Sequence, residues 1–290
     1  MKFTPNRDNY SNALETWQPL SDLATFFAFI DTSRIDQHAA SYLRFGVGKR
    51  LSLIFNDVRW LTSTCPEYRT ETLSDEECKQ AGLHINSFYL NVRGVLDNFA
   101  WALYWLISPT DAAKTEADNK SAQIGLFQKP VLLLFPETSD LRKTIDHHRD
   151  WSFNLKRRRD PAAHRLPLRV VPQVIVEENL TRYRELQQQY FENINKLAVD
   201  LRRSDDMVTD DSIAGINKRC EQIERIKEAH DRTQSDLSLE MQSQGQFVPL
   251  FTYSAGMQEL IPLYPTLTDD INHLLRLSAA CKAHIVSLID

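Results

Sequence analysis

Residues 74–107 read SDEECKQAGLHINSFYLNVRGVLDNFAWALYWLI, and this stretch decides the fold. Ser74, with Glu77 three residues on, is a helix-start signature, and Asp75, Glu76 and Glu77 sit where a helix dipole favours acids. Apolar residues then recur at Ile85, Phe88, Val92, Val95, Leu96, Phe99, Ala102, Leu103 and Leu106, a continuous stripe at the helical period. Ser108-Pro109 ends it. A stripe this long and wide is stable only when buried, so the helix predicted over 75–107 is central to a bundle.

Toward the N-terminus, residues 1–20 are polar, carry Pro5 and Pro19, and read as an arm with little regular structure. A short helix is expected from Ser21 to Ile30 and a longer one from Arg34 to Leu61. Gly46 and Gly48 each weaken the longer helix by about 1 kcal/mol relative to Ala, so a kink or break is expected there.

Toward the C-terminus, 109–137 reads as a loop with a brief apolar element at Val131–Phe135, and a third major helix is expected from about Ser139 to Arg159. Pro161 suits the first position of a new turn capped by Asp160, which predicts a helix break at Arg159-Asp160 and a single turn through His164. Pro167 and Pro172 hold 166–176 extended. The stripes Tyr183, Leu186, Tyr190, Ile194, Leu197, Leu201 and Ile213, Ile216, Cys220, Ile223, Ile226 predict an antiparallel helical hairpin. Phe247–Tyr253 reads as a strand or strap, and Thr268–Leu288 as a last helix starting at Thr268-Asp269-Asp270. The expected fold is therefore all-α: a helical bundle with a long antiparallel hairpin and at most a minor strand pair, near 170–176 and 247–253. Four segments are expected: 1–33 (arm and short helix), 34–176 (bundle core), 177–245 (hairpin) and 246–290 (strap and helix).

The composition agrees with a globular helical chain. Of 290 residues, 42% are hydrophobic and 25% charged, and only 8 are glycine, against about 7% in typical proteins. A net charge of −5 argues against a globally basic nucleic-acid binder but leaves room for a local basic patch. Cys65, Cys78, Cys220 and Cys281 form no Cys-x-x-Cys pair, which predicts reduced thiols in a cytoplasmic protein. MKFTPNRDNYSNALETW has no apolar core of a signal peptide, and Val95–Ile107 is too short to span a bilayer.

No Gly-rich phosphate loop, His-Glu-x-x-His, Gly-x-Ser-x-Gly or dinucleotide fingerprint is present, so no cofactor is expected. His147-His148 beside Asp146 is read as exposed polar residues, since neighbours on a helix point about 100° apart and cannot readily share one ion; no metal is expected. The segment with chemistry in it is Arg159-Asp160-Pro161-Ala162-Ala163-His164. Lys156, Arg157, Arg158, Arg159, His164, Arg165 and Arg169 crowd around it, preceded by Trp151 and Phe153. Histidine exchanges a proton near neutral pH, and arginine offers two hydrogen bonds to phosphate oxygens and stabilises added transition-state charge. Such a pair suits phosphodiester chemistry, with the 2′-hydroxyl of RNA as nucleophile. Asp97-Asn98 reads as a polar pair at a helix crossing, and Phe99–Trp105 as core, with Trp101 and Trp105 on one face that can stack on a base.

Arg159-Asp160 followed by three residues and His164, near a break in a helical bundle, resembles the signature of the HEPN superfamily. Leu90–Ala100 is similar to the partner helix of that bundle, and the likeness spans about residues 35–170. Ala163-His164-Arg165-Leu166-Pro167-Leu168 also resembles a run found in bacterial proteins of no assigned activity. The HEPN resemblance implies metal-independent RNA cleavage at a homodimer interface where two Arg/His pairs face each other. Many relatives are toxins or defence effectors, and others keep the fold without the activity. Carried to this chain, Arg159, His164 and Asp160 would be catalytic, and Lys156, Arg157, Arg158 and Arg165 would bind RNA. The rival expectation is a non-enzymatic interaction module. In it the hairpin over 178–240 recruits a protein partner, Asp160 caps a turn, and His164 bonds a carbonyl at a helix end.

Overall fold

The Ser74–Glu77 box forms as read. The Ser74 amide donates to Glu77 Oε2 at 2.8 Å, and the Glu77 amide donates to Ser74 Oγ at 3.3 Å. The computed structural model describes residues 9–107, 124–164, 166–207, 213–253 and 259–289, except for the side chains of 9–16, 162, 164, 204–207 and 213–215. Its helices are α1 (Asn9–Ala28), α2 (Gln37–Ser41), α3 (Lys49–Thr64), α4 (Asp75–Ile107), α5 (Lys129–Leu132), α6 (Asp140–His147), α7 (Arg149–His164), α8 (Leu180–Met207), α9 (Ile213–Ser243) and α10 (Leu263–Ile289). The fold is all-α with a few short antiparallel strands.

Two compact units divide the described chain. The first comprises Met1–Arg69, Ser74–Val171 and Pro249–Asp290, and the second Thr70–Leu73 and Pro172–Val248. In the first, α4 packs on α2, α3, α7 and the strand β1 (Arg169–Val170), while α10 packs on α1, α4, α6 and α7. Ile85, Phe88, Val92, Val95, Leu96, Phe99, Ala102 and Leu103 of α4 are all fully buried. Each such aliphatic or aromatic side chain contributes up to about 1.5–3 kcal/mol, which explains how one helix organises the bundle.

Three expectations are corrected. Residues 9–20 belong to α1, with Pro19 inside it. Trp17, Leu20, Ala24 and Phe27 form a buried stripe that outweighs the hydrogen bond the proline removes. The third helix breaks at His148 and runs on through Pro161 to His164. His148 Nδ1 lies 2.8 Å from the Thr144 carbonyl and competes for the group that would continue α6. Trp151 and Leu155, one turn apart and buried, anchor α7 before Pro161 is reached. The last helix starts at Leu263 because Pro265 lies in its first turn, where a missing N–H removes no helical bond. The interruption expected at Gly46 and Gly48 takes the form of a π-helix over Tyr42–Gly48 joining α2 to α3. A Cβ on Gly46 would come 2.6 Å from Asn98, so glycine lets this segment cross α4 closely.

Two strand ladders replace the single expected pair. In the first unit β1 pairs antiparallel with β4 (Leu250–Thr252), which pairs with β5 (Ile261–Pro262). Asn86 of α4 fixes the approach to β1: its amide donates to the Leu168 carbonyl at 2.8 Å, and its Oδ1 accepts from the Leu168 amide at 2.9 Å. In the second unit β2 (Val174–Ile175) pairs with β3 (Gly245–Gln246), and α8 and α9 form the antiparallel hairpin. His230 of α9 is buried, with Nδ1 2.8 Å from Asn193 Oδ1 and Nε2 3.2 Å from Asp200 Oδ2, both on α8. No helix among the described residues is long and apolar enough to cross a membrane.

Candidate functional site

Because α7 is unbroken, its residues fall on helical faces that a break at Arg159 would have scattered. Arg149, Ser152, Phe153, Lys156, Arg159 and Asp160 repeat at three- and four-residue intervals and line one wall of a cleft. Arg93, Asp97 and Trp101, four residues apart on α4, line the opposite wall, and Ile124, Phe127 and Gln128 close the cleft. It encloses about 620 Å³. Four cations, two carboxylates and three aromatic rings thus converge in one concave site of the first unit.

Within it, Arg93 Nη2 lies 3.1 Å from Asp97 Oδ1, and Arg159 Nη1 lies 3.1 Å from Asp160 Oδ1. Arg149 Nη2 lies 2.8 Å from Asp146 Oδ1 on the outer side. Burial pushes the Asp97 carboxyl above the usual carboxylate range, against the pull of Arg93, Arg159 and Arg50. Arg50 reaches α4 because of Gly94: a Cβ there would come 2.6 Å from the guanidinium, which donates to Asn91 Oδ1 at 2.9 Å. Trp101 stacks on Tyr42 with ring centroids 5.7 Å apart, and Trp105 on His38 at 4.4 Å. Phe153 is 67% exposed and offers an uncovered ring face.

The run Arg157–Arg159 separates into three environments. Arg159 lines the cleft. Arg157 turns to Tyr253, whose hydroxyl donates to Glu259. Arg158, expected to bind RNA, points into the bundle: its Nη1 lies 2.8 Å from both oxygens of Asp270, a fully buried carboxylate of α10. Trp151 Nε1 donates to Asp270 Oδ1 at 2.8 Å, and the Tyr89 hydroxyl donates to Oδ2 at 3.0 Å. Burial raises the Asp270 carboxyl above its ordinary value, and these three donors oppose that. Asp160 is no N-cap, since it lies within α7.

His164 is the last residue of α7; its side chain lies outside the described residues, as does Arg165 altogether. Five residues along a regular helix turn through about 500°, which leaves positions 159 and 164 about 140° apart around the axis. Asp97, read as a structural polar residue, faces the cleft, whereas Asn98 fills the helix crossing at Gly46 as expected. His148, read as exposed, is buried. Among the described residues, no group of three or more His, Cys, Asp or Glu side chains could hold a metal ion.

Sequence reasoning missed Arg93, Arg149, Phe127 and Gln128. The spacings Arg93–Asp97–Trp101 and Arg149–Phe153–Lys156–Asp160 held the signal for both walls, but only for two unbroken helices. Ile124–Gln128 carries no periodic signal. No known family model, curated protein or solved structure matches this chain.

Proposed function

We propose that this protein binds single-stranded RNA in the cleft between α4 and α7, as a HEPN-like helical module. The observation that carries the reading is the convergence of Arg93, Arg149, Lys156 and Arg159 with Trp101, Phe127 and Phe153 in one concave site. A cationic track that follows phosphates, with aromatic faces that accept bases, is how single strands are held without dependence on sequence. The volume falls within the roughly 300–1,000 Å³ of small-ligand sites, so the cleft takes a short stretch of strand. A duplex presents its bases edge-on and cannot stack on Phe153.

Cleavage is the further step of this proposal. Arg159 would hold the phosphate and His164 would move the proton, with the 2′-hydroxyl attacking phosphorus and the 5′-oxygen leaving. Their offset around α7 favours binding over cleavage within one copy, so cleavage would draw on a homodimer that brings a second Arg/His pair to the site. Incubating the pure protein with total RNA in EDTA separates the two. Retention of RNA without new ends supports binding alone; new 2′,3′-cyclic phosphate ends that disappear in His164→Ala support cleavage. Failure to retain RNA overturns the reading.

A further inference from the structure

Where α6, α7 and α10 meet, two histidines that RNA binding does not use lie against each other, one buried and one half-buried. His148, at the junction of α6 and α7, is 2% exposed. Its Nδ1 faces the Thr144 carbonyl at 2.8 Å and must carry the proton, because a carbonyl only accepts. Its Nε2 is buried without a hydrogen-bond partner. His273 of α10 stacks on Trp151 with centroids 5.1 Å apart, and its Nε2 lies 3.5 Å from Asp269 Oδ1. Its Nδ1 is likewise buried and unpartnered. The two rings stand edge to face, with centroids 5.0 Å apart and an interplanar angle of 89°.

We infer that His148 and His273 form an acid-sensitive latch that holds the α6–α7 junction against α10 and opens when a proton enters between them. A proton on His148 Nε2 creates a buried donor with no acceptor within hydrogen-bond distance, among other imidazoles and a guanidinium. On α6 the neighbour is His147, with a ring centroid 5.1 Å away. On α10 the neighbours are His273 and Arg276. The nearby acids are engaged elsewhere: Asp146 with Arg142 and Arg149, Asp270 with Arg158, Tyr89 and Trp151, and Asp269 on the far nitrogen of His273.

Burial, and then the neighbouring His273, His147 and Arg276, hold the His148 imidazole below its ordinary value near 6.5, against the pull of the Thr144 carbonyl. The sign follows. An unfolded or opened segment takes up the proton first, so the latch is fully closed above about pH 6.5. It weakens by up to tenfold per pH unit below that. Arg149, Ser152 and Phe153 open the following helix, so the latch fixes the turn that carries one end of the cleft wall. The inference rests on this geometry alone and stands whether or not the cleft binds RNA.

Hydrogen exchange on the whole chain at pH 7.5 and pH 5.5, corrected for intrinsic exchange rates, tests it. Protection in 140–156 and 266–277 should fall up to about tenfold at pH 5.5, while 51–62 of α3 keeps its protection. His148→Gln should remove the difference. If that variant does not fold, the wild-type comparison still decides. Equal protection at both pH values in the wild type overturns the latch, and so does a loss that persists unchanged in His148→Gln.

Discussion

Arg158 and Asp270, 112 positions apart in sequence, are joined by a guanidinium nitrogen 2.8 Å from both carboxylate oxygens. The pair ties α7 to α10, with Trp151 and Tyr89 completing the shell of Asp270. Removing one partner leaves a buried charge. Asp270→Ala should therefore cost about 3–5 kcal/mol, measured by urea denaturation. The double variant Arg158→Met/Asp270→Leu should recover much of that loss, because no unpaired charge remains.

The N-terminus of α4 gives a second expectation. Hydrogen bonds from Arg69 and from Ser74 lower the Glu77 carboxyl to about 2. A depressed carboxylate contributes stability above its unfolded value and loses it on acidification. Glu77→Gln should thus lower the melting temperature at neutral pH, by an amount corresponding to about 1 kcal/mol for a lost cap. The gap between variant and wild type should close as pH falls from about 4.5 to about 2.

In the second unit, His230 faces Asn193 and Asp200 across the hairpin. His230→Ala leaves those acceptors without their buried partner and should cost about 1–3 kcal/mol. The loss should appear as faster hydrogen exchange across 186–200 and 223–237, with the α4 peptides unaffected.

The parts of the fold legible in the sequence are those where one long period dominates. The α4 stripe runs from Ile85 to Leu106 on a single helix of thirty-three residues, and the α8 and α9 stripes behave likewise. Prolines misled where tertiary burial overrides local preference. Pro19 hid the stripe of Trp17, Leu20, Ala24 and Phe27, Pro161 suggested a break that α7 does not make, and Pro265 hid the true start of α10. Asp270 therefore read as an acid at a helix start, although it is the buried partner of Arg158. The basic character of 156–159 was legible, but its division among three environments was not, because that depends on how α7 is rotated against α4 and α10. The Ile124–Gln128 side of the cleft comes from tertiary placement alone.

Phe153 offers a direct check on stacking. If its exposed ring carries a base, Phe153→Ala should weaken binding of a single-stranded oligonucleotide by about 1–3 kcal/mol with little change in melting temperature. Affinity equal to wild type would remove this ring from the account.

The salt dependence of RNA affinity tests the central claim most directly. Fluorescence anisotropy of a labelled single-stranded RNA, titrated from about 50 to 200 mM salt, reports how many phosphates the cleft neutralises, at roughly −0.7 in log–log slope per phosphate contact. Four cleft cations predict a slope of about −3 for the wild type. Lys156→Ala should reduce it by about 0.7, and Lys156→Ala/Arg159→Ala by about twice that. Arg157→Ala, which removes a cation turned to Tyr253, should leave the slope unchanged. A wild type that binds no RNA, or a slope indifferent to Lys156 and Arg159, would contradict the assignment of this cleft to RNA.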